Sequence, residues 1–311
     1  MSDGPTVKRS SLSSRSYTTE EPEAEPAVGR EGSLYLDAWR HLRRRPMFII
    51  ATAMILLLAL MAIWPGLFTN ADPLACDLAD SLLTPSSEHW FGTDLQGCDY
   101  YARTIYGARV SITIGVLVTA VSTLIAVALG SVAGFYGGFV DTVIARITDI
   151  WFAIPTILGG IVILRSVFST RGLFQVSLVL IVLGWPTMLR LVRSAVLSVK
   201  ETDYVDAARA LGATNFRIIR RHVLPNSIAP VIVYATITVG GIISAEAALS
   251  FLGVGLQLPA ISWGLMISVA QNRILQAPHL LLFPAAFLSA TVFSFILMGD
   301  ALRDALDPRL R

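Results

Sequence analysis

LVRSAVLSVKETDYVDAARALGATNFRIIRRHVLPNSIAP, running from Leu191 to Pro230, decides how the chain is read. Its middle predicts two short capped helices. Asp203 is placed as an N-cap, and Asp206 adds a second acid near the positive helix start. Tyr204, Ala208 and Leu211 recur at i, i+4 and i+7, which predicts one apolar stripe. Gly212 is placed to end the helix in a left-handed conformation. Thr214 then caps a second helix, Asn215–His222, which Pro225 terminates before the next apolar run. A loop needs neither this order nor such a stripe unless something covers it. The pattern alone leaves two covers open, a partner protein or the lipid surface, and the arginines of the second helix would suit the lipid.

Long apolar runs flank this segment on both sides. Of 311 residues, 54% are hydrophobic and 15% charged, with a mean hydropathy of +0.65. Soluble chains carry about 25% charged residues, so the composition belongs to the membrane class. A helix crosses roughly 30 Å of hydrocarbon with about 20 apolar residues. Six segments qualify: 46–65, 110–135, 142–166, 174–192, 228–251 and 280–299. The expected fold is an all-α membrane protein of six spans. Pro155 and Pro186 fall inside the third and fourth, where they remove helix hydrogen bonds and permit kinks. Gly240 and Gly241 in the fifth allow close helix approach.

Charge sets the expected orientation. Arg40, Arg43, Arg44 and Arg45 precede the first span and hold the N-terminus in the cytoplasm. Residues 67–109 are then outside, and there Asp72, Asp77, Asp80, Glu88, Asp94 and Asp99 dominate. Residues 193–227 are inside, with Arg193, Lys200, Arg209, Arg217, Arg220 and Arg221, and so is the tail, 301–311. Both termini are thus cytoplasmic. Residues 1–33, rich in Ser, Pro, Glu and Thr, cannot bury enough surface to order and read as a disordered tail. The following 34–45 reads as an amphipathic segment at the bilayer surface, with Leu34, Tyr35, Ala38, Trp39 and Leu42 on one face. The only two cysteines, Cys76 and Cys98, share the outer loop, where thiols are oxidised, and a disulfide between them is expected.

Catalytic and nucleotide-binding patterns are missing. The chain has no G-x₄-GK[ST] phosphate cradle, no HExxH and no Cys/His cluster for a metal. Its four histidines, His41, His89, His222 and His279, read as polar interface residues rather than ligands or bases. No catalytic site and no nucleic-acid partner is expected. Charges within spans are functional candidates. Arg146 and Asp149, at i and i+3, read as a mutual pair. Arg165 and Glu246 lie some 18–22 residues past the inner ends of their spans, about 27–33 Å along a helix, near the outer face. They are candidates for an outer gate, possible partners of each other.

The central segment resembles the signature loop of importer-type ABC permeases, EAA-x₃-G-x₉-I-x-L-P. Asp206-Ala207-Ala208, Gly212 and Leu224-Pro225 match it, with Asp in place of Glu and His222 where the general motif has an apolar residue. The run ARALGA…RIIRRHVLPN at 208–226 is similar to one branch, the C-type permease subunits of dipeptide and oligopeptide importers, which includes nickel and glutathione systems. Four other stretches resemble that branch: His89–Ile112, Arg146–Ile161, Ala245–Gly255 and Gly299–Arg311. The branch commonly has a basic residue where Cys98 stands. The resemblance covers residues 35–311.

It implies a multi-pass subunit of the bacterial inner membrane that forms half of a peptide pore with a B-type permease, its core at 110–300. The loop 193–227 would couple to one or two ABC ATPase subunits, which bind ATP and magnesium; this chain would hold no cofactor. The implied coupling residues are Tyr204, Asp206, Ala207, Ala208, Leu211, Gly212, Ala213, His222, Leu224 and Pro225. A peptide-binding protein outside would deliver the substrate, and lipid would surround the subunit. Nickel or glutathione is the alternative cargo. An ion-coupled secondary transporter would favour mid-membrane carboxylates and an inverted repeat, and an intramembrane protease a mid-span histidine; the sequence offers none of these.

Overall fold

A computed structural model describes residues 42, 43 and 45–306. The tail expected at 1–33, most of the amphipathic segment expected at 34–45, and residues 307–311 lie outside the described residues. The architecture is helical. Two isolated bridges, Cys76 with Cys98 and Thr93 with Asp99, are the only β pairing among the described residues.

The first span is α1, Pro46–Ile63, with proline in its first turn, where no N–H is needed. Its last carbonyls would be orphans in lipid. Arg109 supplies donors from another helix: Nε to Ala62 O at 2.9 Å and Nη2 to Ile63 O at 3.1 Å. The next helix, α2, runs from Tyr100 to Tyr136, starting ten residues before the expected span. The cause is local. Asp99 caps it by accepting from Ala102 N at 2.8 Å, and Arg103 is neutralised internally by Asp94.

The third span is broken. Helix α3, Gly138–Phe152, and α4, Thr156–Ser166, meet at 82° across a three-residue gap. Pro155 sits in that gap, and the residue before a proline is pushed out of the helical region. Among the described residues there are therefore five long apolar helices, or six spans if the bent pair counts as one.

Helix α5, Leu173–Lys200, continues eight residues past the expected span end. Two short helices follow, α6 (Asp203–Ala210) and α7 (Asn215–Ile218). Here Pro225 does not terminate anything. A π-helical turn, Ile219–Val223, leads into α8, Leu224–Phe251, with Pro225 in its first turn. The wider π turn relieves the clash that a proline ring makes with the preceding turn. Only 201–223 lies between α5 and α8, rather than the whole of 193–227. Helix α9, Trp263–Ala270, folds back, and α10 runs from His279 to Leu306, taking in residues expected in the tail.

Glycines let these helices approach. A methyl at Gly130 of α2 would meet Val192 Cβ at 2.9 Å and Leu189 O at 3.0 Å on α5. Gly240 of α8 faces Val292 of α10 in the same way, whereas Gly241 has nothing near it.

A proline inside a helix orphans the carbonyl four residues earlier, and at two such carbonyls a distant aromatic donor answers. Pro186 leaves Val182 O, which takes the Trp151 indole N–H at 2.6 Å. Pro284 leaves Leu280 O, which takes the Tyr100 hydroxyl at 2.6 Å.

Candidate functional site: the hairpin at one end of the bundle

The hairpin is anchored by one face. Val205 is fully buried and joins Ile218, Val223, Val192 and Val196 in a single apolar cluster, with Ala208 and Ala213 partly buried against it. The predicted stripe therefore divides. Ala208 turns inward, while Tyr204 is 45% and Leu211 89% exposed. Phe216 on α7 is exposed beside them, at 71%. Sequence reasoning missed Val205 and Phe216; the i, i+3 partner of Ala208 was the available signal for the first.

The helix ends are built from local chemistry. Thr202, not Asp203, occupies the N-cap backbone position, and no side chain caps the helix there. Asp203 and Asp206 instead lie in the first turn, where negative charge complements the helix dipole. Asp206 also receives Arg209 Nη1 at 2.8 Å, both side chains exposed. At the other end Gly212 has φ +79°. Gly212 N donates to Arg209 O at 3.0 Å and Ala213 N to Ala208 O at 3.1 Å, a complete Schellman motif. Thr214 caps α7 by accepting from Arg217 N at 3.4 Å. His222 is partly buried, its carbonyl accepting from Asn226 Nδ2 at 2.6 Å. Ala207 and Pro225 are exposed and Leu224 partly buried.

Above the hairpin, polar clasps join α3 to α5. Arg193 grips Asp141 with two donors, Nη2 to Oδ2 at 2.6 Å. Asp149 has a nearer partner than the expected Arg146: Arg190 Nη2 lies 2.7 Å from its carboxylate, Arg146 Nη1 3.5 Å. Arg190 also lies over the Phe152 ring, 3.9 Å from its centroid.

At the opposite end, Cys76 and Cys98 are joined in a disulfide. Asp94 organises the turn beside it, accepting from Gln96 N at 2.8 Å and Cys98 N at 3.0 Å and pairing with Arg103. Arg165 and Glu246 do not meet. Arg165 is exposed in the last turn of α4, where a cation suits the helix dipole. Glu246 is fully buried, and its Oε1 accepts from Ser250 Oγ at 2.8 Å and Ser262 Oγ at 3.0 Å. Ser262 in turn caps α9 by accepting from Leu265 N, so Glu246 ties α8 to the start of α9. Sequence spacing set both charges at a similar depth but could not see the serines.

Long apolar helices with a capped, half-apolar hairpin left exposed at one end define an integral membrane protein with a surface suited to a partner. Comparison with known proteins agrees. The profile of the binding-protein-dependent transport system inner membrane component family matches residues 126–311, and that of the N-terminal transmembrane domain of oligopeptide transport permease C matches 33–85. The chain belongs to this family, as a permease subunit of an ABC importer rather than an enzyme. It is 40% identical to an oligopeptide transport system permease protein OppC of Bacillus subtilis, over 93% of this chain and 94% of that one. It is 41% identical to the dipeptide permease DppC of the same organism, over 88% and 86%. It is 37% identical to a glutathione permease GsiD of Escherichia coli, over 88% and 90%. The fold is that of the MetNI methionine ABC transporter in inward-facing form, at a TM-score of 0.55 and 21% identity, over 66% of this chain and 96% of that one.

Proposed function

We propose that this subunit imports oligopeptides or dipeptides across the bacterial inner membrane, with the hairpin in the cytoplasm seated on an ATPase subunit. The observation that carries the reading is the exposure of Leu211 and Tyr204 on a helix whose other face is fixed by Val205. Apolar knobs on a rigid, capped helix transmit a push without first unfolding, which an energy-coupling element requires. Asp206, Ala207, Gly212 and Ala213 shape that helix and its exit. A B-type permease supplies the other half of the pore, and ATP and magnesium stay on the ATPases. A binding protein meets the disulfide-braced end, outside, and both termini are cytoplasmic.

The peptide assignment follows the relatives named for oligopeptides and dipeptides. Glutathione is the second reading, favoured by the relative named for it. Affinity purification of the tagged chain from its own cells tests the assembly. Recovery with a second permease, ATPases and a binding protein is expected, and ATP-dependent peptide uptake by the reconstituted complex. Recovery as a lone homo-oligomer would overturn the proposal, and uptake of glutathione alone would select the second reading.

A further inference from the structure

A charged cluster stands exposed on two of the apolar segments, α3 and α5. Lys200 Nζ lies 6.0 Å from the centroid of the Phe135 ring, which marks one depth at the apolar end of α2. Gly130, five residues and about 8 Å further in, packs on Val192 and Leu189. Arg190 is therefore about 8 Å inside the apolar end of α2, with Asp149 beside it. Yet the side chains of Arg146, Asp149 and Arg190 are 79%, 49% and 54% exposed.

Lipid is a poor environment for that face. Charged groups within a membrane turn to the bundle interior or to a water-filled cavity, and a short aspartate cannot reach the headgroups by extending. The cluster also retains binding capacity. Asp149 shares its carboxylate between two guanidiniums, while each arginine keeps donors directed away from it. Phe152 supports the Arg190 guanidinium from one side, fixing its plane. Pro155 breaks the helix three residues beyond Phe152, so Asp149 lies within two turns of the bend.

We propose that Arg146, Asp149 and Arg190 line the water-filled translocation path and there receive the charged termini of a passing peptide. Asp149 faces the ammonium, and the two arginines the carboxylate. The internal ion pair keeps either contact from becoming too tight, as transit requires: favourable enough to enter, weak enough to leave. The inference rests on the peptide reading of the subunit.

The test uses the whole complex with its binding protein and ATPases in proteoliposomes. The native cysteines are bonded to each other, so Arg146→Cys introduces the one reactive thiol of this subunit among its described residues. A membrane-impermeant thiosulfonate should label it in the assembled complex, and transported peptide should slow the labelling. Uptake of a free dipeptide is compared with that of its N-acetylated and C-amidated forms. Asp149→Asn should reduce the preference for a free amino terminus about fivefold, and Arg190→Gln that for a free carboxylate, relative to wild type. The swap Asp149→Arg with Arg190→Asp restores an ion pair; under the proposal it leaves terminus selectivity altered, whereas a merely structural clasp would regain the wild-type ratios. An unlabelled thiol, or variants with wild-type ratios, would overturn the inference while leaving the importer reading intact. A wild-type complex that assembles but imports no peptide would instead overturn the reading beneath it.

Discussion

Val182 and Leu280 show how single residues keep a proline-rich bundle intact in lipid. Each carbonyl has lost its helical donor to a proline four residues on, and each is met by one aromatic donor from a distant helix. A carbonyl met by neither a protein donor nor water costs about 1–3 kcal/mol. Trp151→Phe and Tyr100→Phe should each lower the unfolding temperature of the purified subunit accordingly. Restoring the donor with Pro186→Ala should remove the Trp151→Phe penalty, and a thermal-denaturation double-mutant cycle reads this as coupling between the two sites. Additive effects would show that the indole contributes only packing. Gly212 gives a second case. A Cβ there would touch nothing within 4 Å, so Gly212→Ala costs only the left-handed backbone, about 1–2 kcal/mol. Faster proteolysis at the hairpin, with the span helices unaffected, is the expected result.

The hairpin and the opposite loop carry predictions at the scale of elements. Val205 within α6 and Leu211 at its C-terminal cap, both apolar, should respond oppositely to the same change. Val205→Asp places a charge in the cluster that holds the hairpin to α5, so the subunit should fail to accumulate. Leu211→Asp alters an exposed position and should leave the subunit folded but lower ATPase recovery on co-purification about tenfold or more. Equal accumulation of both variants would contradict the anchoring described for Val205. In the opposite loop the disulfide closes a separation of 22 residues. Removing such a restraint costs about 3 kcal/mol in the chain-entropy account. Cys76→Ser with Cys98→Ser should therefore expose residues 67–99 to protease before the spans unfold.

For the whole molecule, the fold was legible wherever one physical rule acted alone. Mean hydropathy and the six apolar segments placed the chain in the membrane, because hydrocarbon tolerates little but closed helices. The break at Pro155 and the glycine stop at 212 were readable because sterics act on neighbouring residues. Span ends were less so: α2 starts at Tyr100 because Asp99 caps it and Asp94 neutralises Arg103, neither of which registers as hydropathy. At this scale, uptake of peptide by the reconstituted assembly should require ATP and collapse when any one partner is withheld. Uptake driven by an ion gradient without ATP would contradict the assignment.

The segment from Leu191 to Pro230 marks the boundary between what sequence and tertiary structure decide. The sequence by itself determined that a rigid helical hairpin stands between two spans, because its acidic first turn and Schellman glycine are local and act within a few residues. Only the tertiary structure decided which residues hold that hairpin and which remain free. Val205, Ala208 and Leu211 are all apolar, and burial is settled by what α5 and the π turn place opposite each. The same holds for the charges. Asp149 chose Arg190, 41 residues away, over Arg146 on its own helix, and Glu246 chose serines over Arg165. Pairing energy depends on distance in space, which the packing of helices sets and sequence spacing does not.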